Sequence, residues 1–182
     1  MRIRLLIVGA GGFGGAVAEA AEATGLYDVA GFVDDRWPGL TTISAGPVIG
    51  SLSGLATLRN RADAVALAIG NNAVRKRAFE EARAAGFALP AIVHPFAYLA
   101  HGATAGAGVL VMARAAVGTG SILGEGVLIN AGAVLDHDCE VGPFAHVGVA
   151  ASMGGGARLG AHAHLPQAAA LTIGAVRLAE DA

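Results

Sequence analysis

Residues 3–8, Ile-Arg-Leu-Leu-Ile-Val, form an apolar run of strand length that stops at Gly9-Ala10-Gly11-Gly12-Phe13-Gly14-Gly15. From residue 14 to about 24, Ala16, Val17, Ala20 and Ala21 recur at helical spacing, and Gly25 supplies a C-terminal stop. A second strand is predicted over 29–33, ending in Asp34-Asp35-Arg36, and a third over 64–69, ending in Gly70-Asn71-Asn72. A charged helix over about 73–85 follows. Alternating strands and helices predict a parallel sheet with crossover helices, that is, a small α/β Rossmann-like unit whose ligands sit at the carboxyl ends of the strands.

Beyond Pro90 the period changes to six. Every sixth residue from Val93 to Leu171 is large and apolar in thirteen of fourteen cases, Ala105 being the exception. The residue four places after each is Ala, Ser or Cys except at Val109 and Val127, and Gly directly follows the apolar residue in seven, among them Gly118, Gly124, Gly142 and Gly160. Six matches neither a helix nor a flat alternating strand but is the hexapeptide signature of a parallel β-helix. Three hexads make a triangular coil of 18 residues, in which the large residue fills the interior, the small one lets the corner close and Gly tolerates the turn. Two domains are expected, over 1–90 and 91–182.

Composition first pulls the other way. The 182 residues are 54% hydrophobic with a mean hydropathy of +0.60, which resembles a membrane protein. However, charges or Gly interrupt every stretch approaching the ~20 apolar residues that a span needs. Val, Ile and Leu throughout, with 14% charged residues, exclude disorder. A net charge of −2 provides no broad basic field for nucleic acid or an anionic membrane. The lone Cys139 cannot form an internal disulfide, and Met1-Arg2-Ile3-Arg4 leads into a strand rather than an export signal, so an intracellular, cytoplasmic protein is expected.

The first half holds 17 of the 26 charged residues and no His; all six His lie after Pro90. Residues 18 apart stack at the ~4.8 Å inter-strand spacing. His137, in Asp136-His137-Asp138, falls just past a corner, and Gly154-Gly155-Gly156 come one coil above, which predicts a slot beside the ring. His146 lies half a coil further round the prism, where one subunit would not join the two rings but a threefold assembly would. His94, His101, His162 and His164 read as surface or structural, with His164 stacked over His146, and Cys139 reads as a corner filler. No spacing around His137, Asp138, Cys139 and His146 matches a familiar zinc motif, so no metal is expected.

In the first half, Gly9-x-Gly11-x-x-Gly14 opens a helix after a strand, which suits a phosphate, and Asp34 stands 20 residues on, where a dinucleotide-binding protein places its ribose-binding acid. A unit of about 90 residues offers room for one nucleotide rather than two. Gly70-Asn71-Asn72 would border the same crevice.

Together, the glycine loop, Val33-Asp34-Asp35, Ala68-Ile69-Gly70-Asn71-Asn72 with Arg75, Ile92-Val93-His94-Pro95, Asp136-His137-Asp138-Cys139 and Phe144-Ala145-His146-Val147 resemble the sugar O-/N-acyltransferases of the NeuD/PglD type. The resemblance runs in order from about residue 3 to 165. It implies a nucleotide-sugar-binding Rossmann-like domain, a left-handed β-helix that binds acetyl-CoA, and homotrimers with sites between subunits. Carried over by position, His137 is the catalytic base, Asp138 its adjacent acid and His146 the second active-site histidine. Gly155, Gln167 and His146 would contact acetyl-CoA. Asp34, Asp35 and Arg36 would meet the base or ribose, and Gly11, Gly12, Phe13, Gly70 and Asn71 the phosphates and sugar. Phe13 replaces the family's usual loop His, Leu165-Pro166-Gln167 replaces a Leu-Gly pair, and the family's last coils are absent, so a weakened activity is among the expectations.

The function implied is acetyl transfer from acetyl-CoA to an amino or hydroxyl group of a UDP- or GDP-linked sugar, with His as general base. Two other readings stay open at this point: an NAD-linked oxidoreductase, suggested by the glycine loop and Asp34, and a catalytically impaired trimeric scaffold.

Overall fold

The computed structural model describes residues 1–178; the last four residues of the range expected for the second domain lie outside it. Contacts divide the chain into two compact units, Met1–Pro90 and the chain from Ala91 on.

In the first unit, β1 (Ile3–Val8) pairs in parallel with β2 (Tyr27–Val33) on one side and β5 (Ala64–Leu67) on the other. β4 (Gly46–Gly50) adds in parallel to β2, and β3 (Thr42–Ile43) closes the edge antiparallel to β4. Leu5, Leu6, Ile7, Phe32, Val33, Val65 and Leu67 are all fully buried, as strands covered on both faces require. Helix α1 (Gly12–Ala23) buries Val17, Ala18, Ala20 and Ala21, and α2 (Asn72–Ala84) buries Ala78, Phe79 and Ala82. The short β3–β4 hairpin and the 3₁₀ helix Leu52–Leu58 carry no long periodic pattern, and neither was expected from the sequence. β5 stops at Leu67 and α1 starts at Gly12, two residues away from the predicted boundaries. The chain leaves β1 toward β2 and later crosses to β5, so the strand order reverses around β1 and opens a crevice at the carboxyl ends.

The second unit is a triangular β-helix. Fifteen two-residue strands, from Ile92–Val93 to Val176–Arg177, form three parallel five-stranded sheets in which every pairing joins residues 18 apart, as in Leu128↔His146↔His164. The sixfold apolar residues and their small partners share one interior: Val117, Leu123, Ile129, Leu135 and Val141 with Ala133, Cys139, Ala145 and Ala151, none more than 2% exposed.

The glycines divide labour differently from the sequence expectation. Those directly after the apolar residue do not serve the turn. A Cβ on Gly118 would stand 2.7 Å from the carbonyl of Asp136, and one on Gly148 2.6 Å from the amide of Gln167, so these positions are Gly because the next coil passes too close. The left-handed turn falls two residues later. From Gly108 to Gly174 every sixth residue has φ between 55° and 73°, and six of these twelve are not Gly: Arg114, Asp138, Phe144, Ala150, His162 and Ala168. Coil stacking therefore imposes a conformation that costs a side-chain-bearing residue about 1 kcal/mol. No helix among the described residues is long and apolar enough to cross a membrane.

Candidate active site

In the second unit the Asp136-His137-Asp138 corner leaves the strand Val134–Leu135 and enters the strand Glu140–Val141. His137 Nδ1 lies 2.8 Å from Asp138 Oδ2. A carboxylate only accepts, so Nδ1 carries the proton and Nε2 keeps its lone pair. Asp136 Oδ1 accepts the His137 amide at 2.8 Å, which leaves its Oδ2 4.0 Å from Nε2, outside hydrogen-bond range. The His137 pKa is raised from the ordinary 6.5, chiefly by the hydrogen bond to Asp138 and next by the negative charge of Asp136. The ring remains 59% exposed.

The slot expected beside His137 is occupied in part by His137 itself. A Cβ on Gly155 would stand 2.6 Å from Nε2, so the ring lies over the bare backbone of that glycine. Ile173 crowds Gly154, and only Gly156 leaves open space. A second clearance lies below: the Asp138 carboxylate occupies the place where a Cβ on Gly120 would go, and the Thr119 carbonyl accepts the Asp138 amide at 2.8 Å. Asp138 itself has φ 58°, a conformation that Asp adopts more readily than most residues. Applying the 18-residue rule downward from Asp138 would have found Gly120.

His146 sits on the strand His146–Val147, in the third sheet, which contains neither Val134–Leu135 nor Glu140–Val141, the two strands that flank His137. The His146 ring stacks on His164 at 4.7 Å between centroids, as the 18-residue rule required. Asn130 was not singled out from the sequence. Its Oδ1 accepts the Ala131 amide at 2.8 Å, which turns its NH₂ toward His146 Nε2, 3.4 Å away. That donor leaves the His146 proton on Nδ1. Gln167 is an exposed turn residue whose backbone crowds Gly148. Cys139 is buried, and burial pushes its thiol pKa up, which suits the corner filler expected. No group of three or more His, Cys, Asp or Glu among the described residues is arranged to hold a metal.

A cavity of about 390 Å³ lies on the outer face of the Glu140 sheet, walled by Ile122, Pro143, Val176 and Leu178, with the Arg158–Glu140 ion pair at 3.2 Å.

In the first unit a cleft of about 220 Å³ opens at the carboxyl ends of the strands, lined by Gly9, Asp34, Asp35, Leu52, Ile69 and Val74. The glycines of the loop do different work. Gly9 has φ 109°, and a Cβ there would meet the Ala68 carbonyl at 2.6 Å; a Cβ on Gly14 would strike the Gly9 carbonyl. Both are explained by packing. Gly11 and Gly12 have nothing within 4 Å of a built Cβ, so the loop is open where a phosphate would approach the amino end of α1. Phe13, beside them, is half-buried.

Asp34 differs from the free ribose acid expected. Its carboxylate accepts the Ala10 amide (2.8 Å), the Arg36 amide (3.0 Å), and Arg36 Nε and Nη2 (2.7 and 2.9 Å), which fills its four lone-pair positions. The Arg36 guanidinium, helped by these amides, holds its pKa far below the carboxylate range. Asp34 thus ties the glycine loop to β2. A dinucleotide-binding acid needs free oxygens for the ribose diol, so the arrangement speaks against NAD. Asp35, which lines the cleft, accepts the Leu52 amide on Oδ1 at 2.9 Å. Across the cleft, buried Arg75 donates to the carbonyls of Ile69 and Gly70 (2.8 and 3.1 Å) and to Asn72 Oδ1 (2.8 Å); burial lowers its pKa to about 10. Asn71 caps α2, accepting the Val74 amide at 3.0 Å. Gly70 and Asn71 are therefore each fixed by a hydrogen bond, next in sequence to Ile69 of the cleft wall.

Comparison with known proteins agrees with both units. Residues 4–82 match the family model of the PglD N-terminal domain. No match was found among curated proteins. The acetyltransferase domain of PglB from Neisseria gonorrhoeae FA1090, solved in complex with acetyl coenzyme A, is 31% identical over 98% of this chain and 97% of its own, with a TM-score of 0.81. PerB from Caulobacter crescentus, solved with CoA and GDP-perosamine, is 32% identical over 97% of this chain and 89% of its own, with a TM-score of 0.76. WeeI from Acinetobacter baumannii AYE, at 21% identity over 97% of this chain and 96% of its own and a TM-score of 0.65, shares the fold. On these matches, the chain belongs to the sugar acetyltransferases of the NeuD/PglD type.

Proposed function

We propose that this protein transfers the acetyl group of acetyl-CoA to the amino group of a nucleotide-linked amino sugar, on UDP or GDP. In this reading residues 1–90 bind the nucleotide sugar and residues 91–182 carry out the transfer. The observation that carries it is the His137–Asp138 pair: an exposed imidazole with its proton fixed on Nδ1 and a basic Nε2 over Gly155. Acetyl-CoA supplies the acyl group as an activated thioester. His137 Nε2 takes the proton that the amine sheds as it forms the new C–N bond, while the C–S bond breaks and the thiolate leaves. Asp138 holds the ring and stabilises the imidazolium that results. Nδ1–H of His146 steadies the carbonyl oxygen as charge develops on it. The remaining acceleration comes from holding both substrates in place.

Gly155, with Gln167 and His146, would border the cofactor. Open Gly11 and Gly12 with Phe13 would face the phosphates and sugar, Gly70 and Asn71 would line the opposite rim, and Asp35 and Arg36 would meet the base or ribose. Asp34 acts here through the loop it ties down. At about 220 Å³ the cleft is smaller than the ~300–1,000 Å³ that encloses a drug-sized ligand, so the sugar would extend beyond it over the open loop.

We propose a homotrimer with the His137 of one subunit facing the His146 of the next, acting in the cytoplasm, where a lone thiol stays reduced. Apolar side chains on both faces flanking the His137 corner support the assembly: Tyr98 and Val134 on one, Ile122 and Val176 on the other, all exposed.

Ligand-induced melting shifts test the reading. Acetyl-CoA and one UDP- or GDP-amino sugar should each stabilise the protein and NAD should not; His137→Ala should abolish turnover while retaining the acetyl-CoA shift. Stabilisation by NAD alone, or full turnover in His137→Ala, would refute it.

A further inference from the structure

Among the described residues only two polar or charged side chains are buried, Arg75 and Ser121. Arg75 braces the Ile69–Gly70 loop. Ser121 belongs to the column of small corner residues Ala103, Ser121, Cys139, Ala157 and Ala175, directly beneath Cys139, and needs a separate reason for its hydroxyl.

In the regular hexad the corner closes on itself: the amide of the small residue donates to the carbonyl three residues earlier. Ala133 bonds Asn130 at 3.1 Å, Ala151 bonds Gly148 at 3.1 Å and Ala157 bonds Gly154 at 3.0 Å. The corresponding pair in the hexad of His137 is the Cys139 amide and the Asp136 carbonyl. Here Ser121 Oγ stands between them, accepting from the Cys139 amide at 3.2 Å and donating to the Asp136 carbonyl at 3.1 Å. A hydroxyl has one proton and two lone pairs, so it satisfies both ends at once. The two ends of the corner that carries His137 and Asp138 are therefore bridged by a side chain from the coil below.

We propose that Ser121 is a positioning residue for the His137–Asp138 pair. Its hydroxyl sets the spacing of the two ends of the Asp136–Cys139 turn, and that spacing lets Asp138 reach Nδ1 at 2.8 Å while the ring lies over Gly155. Three consecutive residues of the lower coil then serve one corner: the Thr119 carbonyl takes the Asp138 amide, Gly120 clears space for its carboxylate, and Ser121 spaces the ends. Folding alone does not call for the hydroxyl, because Ala103, Ala157 and Ala175 in the same column close their corners directly. With Ala at 121, the Cys139 amide and the Asp136 carbonyl would be free to close as elsewhere, shifting the two side chains between them.

The inference rests on His137 acting as the base, and its test separates the two. Ser121→Ala should lower kcat by ~10–100-fold with little change in KM for acetyl-CoA. It should also move the NMR titration of the His137 ring down toward the ordinary imidazole value, and Ser121→Thr, which keeps the hydroxyl, should restore both. Should Ser121→Ala fail to fold, Ser121→Cys, similar in size but a poor hydrogen-bond partner, takes its place in the same comparison. A parental kcat and parental His137 titration in the hydroxyl-less variant would overturn the proposal, whatever its melting temperature. Failure of the base assignment shows elsewhere, as turnover surviving His137→Ala, while the ring titration still reports whether Ser121 positions the pair.

Discussion

At the scale of single residues the chemistry depends on which atom of His137 is left basic. Asp138 takes Nδ1, and Asp136 is held by the His137 amide so that its second oxygen stays 4.0 Å from Nε2. Both carboxylates favour the imidazolium and raise the pKa above 6.5. A base must be neutral to act, so the acid limb of kcat/KM should lie above pH 6.5, and activity should fall as pH drops through it. Asp138→Asn removes the largest cause of the shift and should move the limb to lower pH while reducing the maximal rate; a pH–rate profile with an unmoved limb would remove Asp138 from this role. The position of His137 was legible because the hexad register places it at a corner. Gly120, Ser121 and Asn130 were not, because they act through contacts one coil away or across a turn rather than within the motif itself.

At the scale of the element, the coil converts one 18-residue offset into three distinct uses of glycine: close approach at Gly118 and Gly148, left-handed turns at Gly108 and Gly174, and clearance for a working side chain at Gly120 and Gly155. The last use is testable at Gly155, where φ is not in the left-handed region and only the His137 ring stands in the way of a methyl group. Gly155→Ala should leave the melting temperature within a few degrees of the parent, since a flexible ring yields, yet lower kcat by ~10–100-fold as the ring is displaced. Steady-state kinetics beside a melting curve decide it; unchanged kcat would show that the ring's seat over Gly155 is unimportant. Half of the left-handed corners were invisible in the sequence because they carry Arg114, Asp138, Phe144, Ala150, His162 or Ala168. There the stacking of coils outweighs the local cost of about 1 kcal/mol. The β3–β4 hairpin is illegible for the opposite reason, since two strands of two and five residues are too short for a period to show.

At the scale of the whole molecule, His137 lies at a corner between two sheets and His146 on a strand of the third, and the proposed trimer would bring the two together across a subunit boundary. Under the proposed trimer, His137→Ala and His146→Ala subunits are each impaired alone. When they are mixed and reassembled, about a quarter of the interfaces should pair an intact His137 with an intact His146 under random threefold mixing. Activity should therefore reappear in the mixture in proportion to that fraction. A mixture no more active than its components would place both residues in one subunit's own site or exclude a shared one.

Periodicity alone determined the two-part architecture, the coil register and the corner on which His137 lies. A repeat of six needs only that large residues point inward, and a strand followed by Gly-x-Gly-x-x-Gly needs only that the backbone turn tightly. Tertiary structure decided what those residues do. Asp34, expected as a ribose acid, spends its oxygens on Ala10 and Arg36; the slot under the triple glycine receives the His137 ring itself; and a buried hydroxyl bridges the two ends of the corner. Each outcome turns on which donor, acceptor or empty volume a neighbouring coil or strand brings within about 3 Å, a distance that hydrogen bonding resolves and a hydrophobic period does not.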